Sequence, residues 1–132
     1  MTIVVGYLAT AEGRAALERA IVEVELRRTK LIVVSSARGG SSYTGDDAVE
    51  QEAELKRVEE RLTGAGIAFE VRQLVRGNEP SDDLIDIAKE TDADLIVIGL
   101  RRRSPVGKLI LGSNAQRILL DADCAVLAVK AA

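Results

Sequence analysis

Apolar residues gather along this chain in short, dense runs. Thr2 to Tyr7, Lys30 to Ser36, Asp94 to Gly99 and Cys124 to Lys130 are built mainly of Val, Ile, Leu and Ala. A strand with one face in water alternates apolar and polar residues, whereas a near-continuous apolar run marks a strand covered on both faces, as in a parallel sheet. A fifth segment, Ala68 to Val75, alternates in part through Phe69-Glu70-Val71-Arg72-Gln73-Leu74-Val75. It reads as a half-exposed edge strand.

Helical periodicity fills the intervals. Glu12 to Arg28 sets Ala16, Leu17, Ala20, Ile21, Val24 and Leu26 mostly on one face and leaves Glu18, Glu23, Arg27 and Arg28 for water. Asp47 to Leu62 repeats the arrangement with Val49, Ala53, Leu55, Val58 and Leu62. Ser81 to Glu90 follows Pro80 and offers Leu84, Ile85, Ile87 and Ala88 to a core. Asn114 to Leu120 is preceded by Ser113, and Ser113-Asn114-Ala115-Gln116 has the form of a capping box, in which the serine and glutamine side chains satisfy free backbone N–H groups.

Strands and helices therefore alternate from end to end. Right-handed crossovers fold such a chain into one α/β, doubly wound domain over residues 1–132: a five-stranded parallel sheet, order 3-2-1-4-5, with helices on both faces. A ligand site is then expected beyond the C-terminal ends of the first and fourth strands, where the winding reverses. Leu8-Ala9-Thr10-Ala11 and Leu100 to Leu111 lie in that region. Arg38 to Gly45 forms a third loop, either a plain connector or a lid.

Composition narrows the chemistry. The chain has no histidine, which removes the commonest general base and zinc ligand, and 18 Lys plus Arg against 21 Asp plus Glu give no electrostatic reason to expect nucleic acid. Its single cysteine, Cys124, cannot form an internal disulfide and suits a packed position at a strand start. No apolar run approaches the roughly 20 residues of a membrane-spanning helix, and no leader pattern opens the sequence. A cytoplasmic protein with no membrane association and no metal is expected.

From Gly99 the chain reads Gly-Leu-Arg-Arg-Arg-Ser-Pro-Val-Gly-Lys-Leu-Ile-Leu-Gly-Ser-Asn. A strand ends at Gly99, and Gly112-Ser113 leads into a helix whose N-terminus offers N–H groups and a positive dipole end to an anion. Lys108 and three arginines lie between, so phosphate suits the loop. The standard P-loop is absent, because Gly107-Lys108 is followed by Leu109. Plainer readings stand beside this one: Gly99 and Gly112 permit tight turns, Ser113 caps a helix, and Arg101-Arg102-Arg103 forms a solvated face.

This loop resembles the Gly-x2-Gly-x9-Gly-Ser/Thr pattern of the universal stress protein family. Similar to that family as well are Val4-Val5-Gly6-Tyr7, Arg14-Ala15-Ala16-Leu17, Gly77-Asn78-Glu79-Pro80, Ala93 to Gly99, and Val126-Leu127-Ala128-Val129. The resemblance spans nearly the whole chain and implies an adenine nucleotide alpha hydrolase-like domain that binds ATP or a related adenine nucleotide; the lack of histidine and of a standard P-loop makes a binding protein, not an enzyme, the expectation. It implies a nucleotide site at Leu8, Thr10, Ser36, Gly99, Arg102, Gly112, Ser113 and Asn114, and a homodimer paired through the C-terminal strand. Two positions depart from the ATP-binding members. Arg102 stands in place of the second glycine, and Leu8 stands where an aspartate usually faces the nucleoside. The alternative is a dimeric interaction protein that resembles the members lacking nucleotide; a slow nucleotide hydrolase is a third reading.

Overall fold

A computed structural model describes residues 2–37, 45–75, 79–100 and 112–131. The elements run β1 (Thr2–Gly6), α1 (Ala11–Arg27), β2 (Lys30–Ala37), α2 (Gly45–Ala65), β3 (Phe69–Val75), α3 (Pro80–Glu90), β4 (Ala93–Leu100), α4 (Ser113–Asp121) and β5 (Ala125–Lys130). All four pairings are parallel, and the sheet order is β3-β2-β1-β4-β5. The expected winding and the edge position of β3 are both found. Most of the loop between Arg38 and Gly45, Gly77-Asn78, and the run from Arg101 to Leu111 lie outside the described residues.

Side chains alternate across a strand, so each central strand feeds two cores. Ile3, Val5, Tyr7, Leu31, Val33, Leu95 and Val97 meet Leu17, Ile21 and Val24 of α1 and Leu55, Val58 and Leu62 of α2. Their neighbours Val4, Ile32, Val34, Ile96 and Ile98 point the other way, to Leu84, Ile85 and Ile87 of α3 and Ile118 of α4. This double burial is why the sequence runs are continuous rather than alternating. Strand β1 pairs residue for residue with β2, whereas its register against β4 shifts between Thr2 and Ile3.

Four helical positions differ from the expected faces. Leu26 is 72% exposed and Val49 66% exposed. Both lie off the buried stripe that Leu17, Ala20, Ile21 and Val24 define in α1 and Leu55, Val58 and Leu62 define in α2, as does the exposed Ala53. Glu23, by contrast, is buried, because Arg19 and Arg27, four residues to either side, fold over it with N···O distances of 3.1 and 3.5 Å. Helix α1 ends at Arg28, which adopts the left-handed conformation at φ 52° and donates its N–H to the Val24 carbonyl.

Two glycines fix the position of the first turn of α1, Gly13 against the turn that precedes the helix and Gly99 against the sheet. A Cβ on Gly13 would lie 1.9 Å from the Leu8 carbonyl oxygen, and one on Gly99 would lie 2.1 Å from the Glu12 carbonyl oxygen. Both neighbours are backbone and cannot step aside. Gly64 in α2 has nothing within 4 Å of the same position. Alanine normally favours a helix over glycine by about 1 kcal/mol, so the two sites should respond with opposite signs. Gly64→Ala is expected to stabilise by up to about 1 kcal/mol, and Gly13→Ala to destabilise by about 2 kcal/mol or more as the backbone is forced apart. Urea unfolding midpoints measure both; a gain at Gly13 would show that the contact is not tight.

Candidate functional site

The sheet reverses its winding between β1 and β4, where β1 ends at Gly6 and Gly99 is the penultimate residue of β4. A cleft of about 140 Å³ opens at this place. Its floor is formed by Gly6, Tyr7 and Gly99, and one wall by Val34 and Ser36 of β2. Pro80 and Leu84 of α3 and Asn114, Ala115 and Ile118 of α4 close the far side, while Leu8, Glu12 and Gly13 form the near rim. The lining is mostly aliphatic, with polar groups at a few fixed points, as small-molecule clefts generally are.

Four of the expected residues meet in this cleft: Leu8, Ser36, Gly99 and Asn114. Leu8 is 53% exposed at the rim. Asn114 ties two helix starts together, its Oδ1 accepting a hydrogen bond from the Ser81 N–H at 3.4 Å. Thr10 is the N-cap of α1, where its hydroxyl oxygen accepts from the Gly13 N–H at 3.1 Å. Gly99 is required by the close approach of α1. Arg102 lies outside the described residues.

The capping box at Ser113 is not formed. The N-cap of α4 is Gly112, whose carbonyl accepts the Gln116 N–H at 3.0 Å and whose side-chain position makes no capping bond. With the helix beginning one residue early, Ser113 is its first helical residue and stands exposed. The hydroxyl is thereby released from capping. The first turn also holds no acidic side chain, so nothing in it opposes an approaching anion.

Two long-range polar contacts were not legible in the sequence. Ser36 donates its hydroxyl proton to Asp83 Oδ2 at 2.5 Å, joining β2 to the first turn of α3, and Asp83 is fully buried. On the opposite face Tyr7 donates to Glu54 of α2, with Arg57 at 2.7 Å and Arg14 at 3.6 Å completing the carboxylate's partners. Gln51 Nε2 donates to Ser35 Oγ at 2.8 Å beside them. The only forewarning was Tyr7 itself, a rare aromatic residue at a strand end. Cys124 is half-buried, and burial pushes its thiol up, which keeps the sulfur in its weakly nucleophilic form. Among the described residues no cluster of His, Cys, Asp or Glu is arranged to hold a metal ion, and no helix is long and apolar enough to cross a membrane.

The architecture defines a class, doubly wound α/β domains whose ligand cleft sits at the switch point. Within it, this chain belongs to the universal stress protein family, which matches residues 1–130. A universal stress protein of Mycolicibacterium smegmatis is 46% identical over 128 residues, 97% of this chain and 96% of that protein. The solved structure of a universal stress protein from Archaeoglobus fulgidus superposes with a TM-score of 0.83 at 40% identity, covering 98% of each chain. A second Archaeoglobus fulgidus structure, in complex with dAMP, gives 0.78 at 34% identity, again over 98% of each.

The tyrosine–glutamate pair makes stability depend on pH at both extremes. Burial, and then the Glu54 carboxylate, push the Tyr7 phenol up from 10.0 to about 12. Its contribution is complete below pH 10 and is lost as pH rises toward 12, because the native state holds that proton more tightly than the unfolded chain. The hydrogen bond from Tyr7, followed by Arg57 and Arg14, holds Glu54 below its ordinary value. Its contribution is present above the ordinary carboxylate range and disappears as pH falls through the lowered native value. Denaturation midpoints followed across pH should therefore fall at both ends, and Tyr7→Phe should flatten the alkaline limb; an unchanged limb would place the phenol in water.

Proposed function

We propose that this protein is a regulatory binding module of the stress response that takes up ATP or a related adenine nucleotide, and that it is not an enzyme. The observation that carries this reading is the cleft at the switch point, aliphatic along most of its length and bordered by the N-terminal turn of α4. A planar base suits the aliphatic part, and a phosphate suits the helix start. The dAMP complex of the Archaeoglobus fulgidus relative supports the same class of ligand. Gly112, Ser113 and Asn114 are assigned to the phosphate end. Arg102, in the position of a family glycine, adds a guanidinium that replaces lost amide contacts with charge-assisted ones.

The competing reading, a dimeric interaction protein without nucleotide, draws on Leu8, whose exposed aliphatic side chain at the rim cannot accept a hydrogen bond from a nucleoside. Calorimetry with AMP and ATP, together with mass spectrometry of small molecules extracted from the purified protein, decides between them. Saturable binding supports the first reading; the absence of both heat and extracted nucleotide supports the second. Within the first, Arg102→Ala should weaken ATP binding by about tenfold, the size of one hydrogen bond to a charged group, and Leu8→Asp should sharpen the preference for ATP over inorganic triphosphate. Tight ATP binding created by Arg102→Gly in a protein that otherwise binds none would show the arginine to be a plug.

A homodimer through β5 belongs to either reading. The strand pairs with β4 on one side and forms the sheet edge on the other, with Val126 to Val129 partly buried. An apolar edge of this kind is a template for a second strand. Light scattering should return a dimer, and Val129→Lys a folded monomer by circular dichroism; a native monomer at micromolar concentration, or a Val129→Lys dimer, would remove this interface.

A further inference from the structure

Ser36 occupies an unusual position in the cleft. Its neighbours on the sheet surface are aliphatic, and its hydroxyl is already committed as a donor to the buried Asp83 carboxylate. Asp83 lies in the first turn of α3, and its Oδ2 is the acceptor of that bond. A serine hydroxyl carries one proton and two lone pairs. With the proton held by Asp83, the oxygen can offer only lone pairs to the cleft.

The orientation of a nucleotide follows from where the charge is accommodated. Its phosphate belongs at the start of α4, beside the end of β4, so the base extends across β1 toward β2, where Val34, Leu84 and Ser36 form the wall. Resting on the nucleotide reading above, we infer that Ser36 and Asp83 together set the hydrogen-bond polarity of the base pocket. Ser36 is a specificity-determining acceptor for an exocyclic amine, and Asp83 is the positioning residue that keeps it an acceptor. A purine bearing a 6-amino group is matched; one bearing a 6-oxo group brings two lone pairs face to face.

The test is the ratio of dissociation constants for AMP and IMP, which differ at this edge of the base and share their phosphate and ribose. In the native protein AMP should bind about tenfold more tightly than IMP, the scale of one hydrogen bond. Asp83→Asn presents an amide N–H to Ser36, frees the serine proton for the cleft, and should shift the preference toward IMP. Ser36→Ala should bring the two affinities together, and Ser36→Cys, which keeps a side chain of similar size with a weaker donor and acceptor, should reduce the ratio where the alanine or the Asp83 variant proves unstable. A purely structural role would weaken both nucleotides alike and leave the ratio unchanged. Equal native affinities, or a ratio unmoved by Ser36→Ala, overturn the polarity assignment while leaving nucleotide binding intact. Failure of both AMP and IMP to bind overturns the two together.

Discussion

The first turn of α1 approaches the sheet so closely that no side chain fits between them, and the rest of the ligand-facing end depends on this contact. Gly13 meets the backbone of Leu8, and Gly99 meets the backbone of Glu12, each at distances that a Cβ would violate. The chain leaves β1, turns at Leu8, and is gripped by Thr10 at the helix cap before α1 runs back across β4. That path makes one rim of the cleft. Drawing α1 outward to admit a methyl group at Gly99 would separate the rim from the sheet floor, and one at Gly13 would push the helix off the Leu8 turn. The aliphatic core beneath, from Ile3 to Val97, gives the helix something to press on but does not set the height of its first turn.

Much of the fold was written in local pattern. Continuous Val and Ile runs identified four parallel strands, of which β1, β2 and β4 are buried while β5, expected to be covered on both faces, is a partly buried edge; the mixed character of Glu70 and Arg72 marked β3 as the other edge, and chain order then left one common topology. Helical faces were less legible at their margins. Leu26 and Val49 are apolar but lie beyond the arc that reaches the sheet. Glu23 is charged yet buried, because its two arginine neighbours cover it. Periodicity identifies the middle of a buried stripe; its borders depend on how wide the sheet is beneath each turn.

The site divides in the same way. Gly99 and Gly112 have local signatures, at the end of a strand and the start of a helix, whereas Leu8 was singled out by the family resemblance; the cleft is lined by Leu8 and Gly99. The start of α4 was misread by one residue, since Ser-x-x-Gln offers a cap at Ser113 while the backbone already closes on the Gly112 carbonyl. Asp83 and Glu54 had no local signature. Their partners, Ser36 and Tyr7, are each 47 residues away in sequence, and nothing short of the assembled sheet brings them together. Asp83 reads from sequence as an ordinary helix-starting acid beside Asp82; only its burial distinguishes it.

The consecutive serines of β2 show how the two faces came to differ. Strand geometry sends Ser35 toward α2, where Gln51 donates to it, and Ser36 toward α3, where it donates to Asp83. The same residue type therefore acts as an acceptor on one face and as a donor on the other, and each hydroxyl retains different capacity for a ligand. On the α2 face the surroundings are polar, with Tyr7, Glu54 and Glu50 close by. On the α3 face they are aliphatic, and Ser36 is the one hydroxyl on the β2 wall of the cleft. A lone polar atom in an apolar wall discriminates more sharply than one among many, because a mismatched ligand group without a second partner retains its full desolvation cost. Under the inferred polarity of the base pocket, selectivity at this wall depends less on how many contacts the cleft makes than on the direction of a single hydrogen bond behind it.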